Sequence, residues 1–191
     1  GQITFDTFCI DLTHRVTVGQ TYEVEVRTDL ATAFGANPPF TNGSRMAYIF
    51  DRYGSQNLSG NSLQAAAVQL ALWNLSLNHD PLFFAYDGDS YNSGDQSMFD
   101  VQLTGSDAVT IADLTNDYLQ ESSWATTTGA WFDASINGDD INRGQSLMIP
   151  EVLRIFRNYQ ATTVSIEATT PDAYEVGTVP GEFTVTRTGD L

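Results

Sequence analysis

The hydrophobic period along this chain switches several times between two and about 3.6. Residues 3–12, ITFDTFCIDL, put Ile3, Phe5, Thr7, Cys9 and Asp11 on one face and predict a strand. Residues 20–28, QTYEVEVRT, alternate as clearly and predict a second strand, paired with the first through the VGQ turn. Residues 30–44 carry Gly, Asn, Pro and Ser and read as a loop. A short helix is predicted over 45–56. The strongest helix signal is 61–78, NSLQAAAVQLALWNLSLN: Asn61 or Ser62 is available as a cap, and Gln64, the alanines and the leucines all favour helix. Two strand-like stretches, PLFFAY and SMFDVQL, flank the polar loop DGDSYNSGDQ within 80–103. Residues 106–124 read as a further helix. Residues 130–149 read as strands around the NGDD turn, with QSLMI as the later strand. Residues 162–188 hold two alternating runs separated by a Pro/Gly/acidic stretch. Strands at both ends with helices between them make the class α+β.

Length and charge narrow the functions. A chain of 191 residues with 41% hydrophobic content is enough for one domain with a real core, with room for a piece of a second. No run of about 18 apolar residues is present, so no membrane insertion is expected. No signal peptide is visible, and Gly1 and Gln2 read as the start of a trimmed mature chain. The formal net charge is −16, so nucleic acid and anionic membranes are unsuited partners, because phosphate binding needs clustered cations.

All eight basic residues are arginine, and the chain contains no lysine. Composition alone can produce that. The functional reading is a reactive acyl group somewhere in the molecule: a lysine amine would consume it, whereas a guanidinium stays protonated and is a poor nucleophile. An internal Lys–Asn isopeptide bond is excluded. Cys9 is the sole cysteine, which rules out a disulfide within the chain. It is a buried small hydrophobe, an intermolecular disulfide partner, a nucleophile, or half of another crosslink.

On the helix over 61–78, Ala65, Ala66, Gln69, Leu72, Trp73 and Ser76 fall on one stripe. A single carboxamide therefore emerges from an apolar surface. Leaving it unpaired and buried costs about 1–3 kcal/mol, so it must be hydrogen-bonded or react. Taken alone, a backbone hydrogen bond accounts for Gln69 and core packing accounts for Cys9. Taken together, they suggest a thioester, in which cysteine sulfur displaces ammonia from a glutamine side chain in a dry, near-contact geometry. Ala65 and Ala66 leave room for the Cys9 strand, and Trp73 is placed to shield the bond.

FCID at 8–11 and VQLALW at 68–73 resemble the two signatures of the bacterial surface thioester domains. The first signature is an aromatic residue or Leu, then Cys and a short apolar tail, matched by Phe8 and Cys9. The second is apolar–Gln–x–x–apolar–aromatic, matched by Val68, Gln69, Leu72 and Trp73. Only these two short stretches are specific, although the organisation over residues 3–155 is similar. The resemblance implies β-sandwich or barrel-like strands with an inserted helical subdomain, a Cys9–Gln69 thioester, and display on the outside of a bacterium. It implies an adhesin that bonds once to an amine on a target surface, a reactive domain rather than an enzyme, needing no cofactor and sitting as a monomeric unit in a longer surface protein. Tyr48 and Asp11 are candidate hydrogen-bond partners in the site. His14 is a candidate base for the incoming amine, although on a continuous strand positions 9 and 14 point to opposite faces.

The remaining constellations are weaker. There is no GxSxG, and two histidines give few choices for a triad. Asp133, Ser135, Asn137, Gly138 and Asp139 match the first half of a calcium loop, but position twelve is Gly144, so no metal site is assigned. His79 reads as a helix C-terminal cap. The stretch VSIEATTPDAYEVGTVPGEFTVTRTGD resembles the opening of a Calx-beta module. That divides the chain into 1–158, the thioester domain, and 159–191, a C-terminal β-hairpin-like extension that is the truncated start of such a module or a linker. Glu167, Asp172 and Glu175 are considered there as calcium ligands and not assigned.

Overall fold

The computed structural model describes residues 2–11, 14–17, 19–30, 42–55, 58, 60–77, 83–86, 91–92, 101–134, 145–150, 163–170 and 182–188. Of the loop expected over 30–44, residues 31–41 lie outside these residues and 42–44 are helical instead; the expectations for His79, for the NGDD turn and for Asp172 and Glu175 also lie outside them. In chain order the elements are β1 (Gln2–Asp6), β2 (Thr21–Glu23), β3 (Glu25–Arg27), α1 (Asn42–Ile49), α2 (Ser62–Leu77), β4 (Ala85–Tyr86), β5 (Tyr91–Asn92), β6 (Gln102–Leu103), α3 (Ala108–Glu121), β7 (Ala130–Asp133), β8 (Leu147–Ile149), β9 (Thr163–Thr170) and β10 (Glu182–Thr188). The class is α+β. Helix α1 runs on into a π-helical turn over Phe50–Gly54, and α3 ends in a 3-10 turn over Ser122–Trp124.

Helix α2 forms where its local signals place it. Asn61 Oδ1 accepts the Gln64 N–H at 3.2 Å, and Asn61 Nδ2 donates to Gln64 Oε1 at 2.7 Å. An otherwise orphaned first-turn donor is thereby satisfied. The helix is apolar on most sides, which suits an element enclosed by others: Ala67, Val68, Leu70, Ala71, Leu72, Asn74 and Leu75 are all buried. Arg45 of α1 donates to the Leu119 carbonyl at 2.7 Å, satisfying an acceptor in the last turn of α3.

The strands pair differently from the expectation. The predicted hairpin between the first two strands does not form. Instead β1 pairs antiparallel with β10, Gln2 opposite Thr186, and β2 pairs with β9, Thr21 opposite Glu167. The resulting sheet has the order β1-β10-β9-β2. Alternation decides which face of a strand is apolar, but says nothing about which strand fills its edge. The 20–28 run also divides at Val24: Thr21–Glu23 joins this sheet, while Glu25–Arg27 joins a second sheet of order β3-β7-β8. The 3–12 run divides in the same way. Up to Asp6 it follows β10, and from Thr7 it runs beside β8. Residues 163–170 and 182–188, expected to open a separate module, thus supply the two inner strands of a sheet whose outer strands come from the start of the chain. A lone two-stranded hairpin is marginal in water, so the flanking strands matter to it.

The polar loop expected between PLFFAY and SMFDVQL contains β5, which pairs with β4 and β6 in a small third sheet. Turn-rich composition did not reveal that two-residue strand.

The β3-β7-β8 sheet has two apolar faces. On one side Phe8, Ile10, Trp131 and Met148 join the helical core of Met46, Ile49, Phe50, Val68, Leu72 and Leu119. On the other, Ala130, Phe132, Leu147 and Ile149 cluster with Val185 of β10, and Cys9, Val24 and Val26 pack against them. Each fully buried side chain of this kind stabilises by about 1.5–3 kcal/mol. Helix α1 lies close to the sheet because Gly129 has no side chain: a Cβ there would meet Leu30 Cδ2 at 2.6 Å and Ala47 Cβ at 2.7 Å.

Candidate functional site

Cys9 lies where the first strand has changed sheets. The Met148 N–H donates to the Phe8 carbonyl and the Ile10 N–H to the Ser146 carbonyl, both at 3.0 Å. The Thr7 hydroxyl donates to the Met148 carbonyl. Cys9 is bridged antiparallel to Leu147, flanked by those two bonds, so it is the non-hydrogen-bonded member of the ladder. Its own N–H and C=O consequently point away from β8.

Gln69 of α2 meets both groups. The Cys9 N–H donates to Gln69 Oε1 at 3.1 Å, and Gln69 Nε2 donates to the Cys9 carbonyl at 2.7 Å. The carboxamide acts as a one-residue strand partner. The structure therefore brings Cys9 and Gln69 together, 60 positions apart in sequence, through the cysteine backbone. A carboxamide with donor and acceptor both engaged in this way is a clamp on the Cys9 peptide.

The sulfur meets a different carboxamide. The Cys9–Leu147 register sets Gln145 across from Asp11 and on the same face as Cys9, a diagonal neighbour within reach of a long side chain. Cys9 Sγ lies 2.8 Å from Gln145 Oε1. Gln145 Nε2 donates to the backbone carbonyl of Asp11. The carbonyl carbon of Gln145 is one bond beyond the oxygen that the thiol touches.

The electrostatics keep that thiol protonated. Burial of the group, and then the Asp11 carboxylate, push the Cys9 pKa up to about 12. The residue keeps some exposed surface, but the thiol itself sits against Leu147 and its apolar neighbours. A neutral S–H is a donor to Gln145 Oε1 and a poor nucleophile towards reagents in solution.

Asp11 and His14 also belong to this constellation. Asp11 Oδ2 and His14 Nδ1 are 2.7 Å apart, with both side chains largely buried. Residues 14–17 are not strand, so the opposite-face argument against His14 does not hold: its ring meets Asp11. Trp73, expected to shield the bond, packs with the cluster of Leu70, Phe84 and Ala112. Tyr48 is half-buried against the helical core, with the Arg52 guanidinium 5.9 Å above its ring. Asp133, the first residue of the partial calcium loop, is buried and accepts from Arg27 Nη1 at 3.1 Å. The rest of that loop lies outside the described residues.

Gln145 is the site residue that sequence reasoning missed. Its signal is a polar carboxamide two residues before the apolar run of β8, a pattern common to many strand ends. Its meaning depends on the register with residues 7–10, which no local pattern supplies.

Among the described residues no helix is long and apolar enough to cross a membrane. No protein-family model, curated protein or solved structure matches this chain.

Proposed function

We propose that this chain is a bacterial surface adhesin domain whose Cys9 closes an internal thioester with Gln145 and then bonds covalently to an amine on a target surface. The observation that carries the reading is the 2.8 Å contact between Cys9 Sγ and the Gln145 carboxamide. The amide of Gln69, the acyl donor expected from the motif, is engaged by the Cys9 backbone N–H and C=O, whereas the Gln145 oxygen touches the sulfur itself. The motif around Gln69 keeps a role in this reading: it holds the cysteine still.

The chemistry balances without a cofactor. Sulfur adds to the Gln145 carboxamide carbon, the C–N bond breaks, and the thiol proton departs with the nitrogen as ammonia. When a target amine attacks the acyl carbon, the C–S bond breaks, Cys9 regains its thiol, and an amide joins the two proteins. Each molecule reacts once, so it is not an enzyme. The absence of lysine fits a domain that carries an acyl group it must not spend on itself. Display outside a bacterium, within a longer protein, rests on the resemblance together with the acidic surface and lone cysteine. The β-sandwich expected of the family is supported by two strand runs that each pass from one sheet to the other and by the Val185 contact between the sheets.

A second reading is a non-covalent module with a buried free cysteine, favoured by the raised thiol pKa. Intact-mass measurement separates the two. The thioester requires a deficit of about 17 Da from lost ammonia, and a gain of about 31 Da over the closed form on treatment with methylamine. Cys9→Ala must abolish both. A mass equal to that of the plain sequence favours the free thiol, and a deficit without amine reactivity favours a crosslink that only stiffens the domain.

A further inference from the structure

We propose that Asp11 and His14 form a positioning dyad that fixes the exchanging carboxamide of Gln145; this rests on the thioester reading above. The departing nitrogen is Gln145 Nε2, and its acceptor is the Asp11 carbonyl. That hydrogen bond decides which end of the amide faces the sulfur. With nitrogen turned to Asp11, the oxygen accepts from the thiol, and the carbonyl carbon lies one bond beyond it.

Asp11 lies just beyond the Ile10–Ser146 bond, where the chain leaves β8. Its place is fixed through its side chain, which holds His14 Nδ1 at 2.7 Å in a largely enclosed contact. The link joins positions three apart and ties His14 to the site through Asp11. His14 thus acts at one remove, through Asp11, on an amide held on its far side by the cysteine. Displacement of a reacting group by about 1 Å can cost about a hundredfold in rate, so a weak tether at this point has a kinetic consequence even where the fold is unchanged.

The test uses the whole chain. Ammonium chloride opens the thioester and restores the Cys9 thiol and the Gln145 carboxamide. After rapid desalting, closure is followed as the return of the deficit of about 17 Da. His14→Ala is expected to slow closure by about tenfold to a hundredfold with an unchanged thermal midpoint. His14→Asn retains a nitrogen donor near the Nδ1 position and is expected to close at close to the wild-type rate, a rescue that a purely structural effect of the imidazole ring would not give. Asp11→Ala keeps the backbone carbonyl, removes the partner of His14 and must show the same delay; it is the deciding variant if His14→Ala does not fold. Closure of either alanine variant at the wild-type rate, or His14→Asn as slow as His14→Ala, overturns the dyad alone. A wild-type chain with no deficit at any time removes the thioester and the dyad with it.

Discussion

Helix α2 and the leading edge of strand β8 each bring a glutamine to Cys9, and the two carboxamides end in opposite situations. Gln69 comes from a helix apolar on most sides and meets the cysteine backbone, where a donor and an acceptor await it. Gln145 precedes a strand and lies diagonally across the ladder, where it meets the thiol. A helix side chain approaching an extended segment from its open edge finds N–H and C=O groups, whereas a side chain on the same sheet face finds side chains. The same functional group thus clamps the peptide in one place and meets the sulfur in the other, where the proposed thioester makes it the electrophile, according to the direction of approach.

The largest expected effect comes from exchanging the two roles. Gln145→Ala should eliminate the mass deficit and every methylamine adduct. Gln69→Ala should retain the deficit but lower stability by about 1–3 kcal/mol, because it strands the Cys9 N–H and C=O in a part-buried site. Denaturant midpoints and intact masses of both variants check this. The opposite pattern, adducts in Gln145→Ala and none in Gln69→Ala, would make Gln69 the acyl donor.

A smaller effect tests the thiol side of the comparison. In Gln145→Ala the cysteine stays a buried thiol. Its pKa rises from the ordinary 9.0 to about 12 in the folded chain, so the folded state binds the proton more tightly than the unfolded state does. The associated stability is fully present below pH 9 and is lost as pH rises towards 12. Tyr118, also pushed up to about 12, contributes a slope of the same sign. The cysteine share is therefore the difference between Gln145→Ala and the double variant with Cys9→Ala, read from urea midpoints across that range. Equal slopes would show that the thiol is solvated.

The smallest effect tests the helix side. Asn61→Ala removes the cap of α2 and should cost about 1 kcal/mol, read from the thermal midpoint, with the closed mass unaffected. A cap variant that lost the deficit would mean that the Gln69 clamp depends on the first turn of the helix.

Legibility in the sequence followed the range of the interactions. Helix α2 was readable to within a residue because its cap, propensities and apolar content all lie inside a window of 18 residues. The meeting of Cys9 and Gln69 was readable as a pair, but the atoms that meet were not, since the motif does not say whether the amide arrives at the sulfur or at the peptide. Trp73 packs with Leu70 and Phe84, and Tyr48 packs against the helical core that includes Phe8 and Ile10, contacts that the stripe and the motif do not specify.

By itself the sequence determined the two long helices and most of the extended segments, and that one thiol and no amine from lysine are available. Only the tertiary structure decided that β10 and β9 enter between β1 and β2, and that residues 7–10 lie along β8 with Gln145 at the sulfur. Helix formation is settled by contacts within a few residues. Strand pairing is settled by which edge remains open once the whole chain has collapsed, here between side chains 136 positions apart.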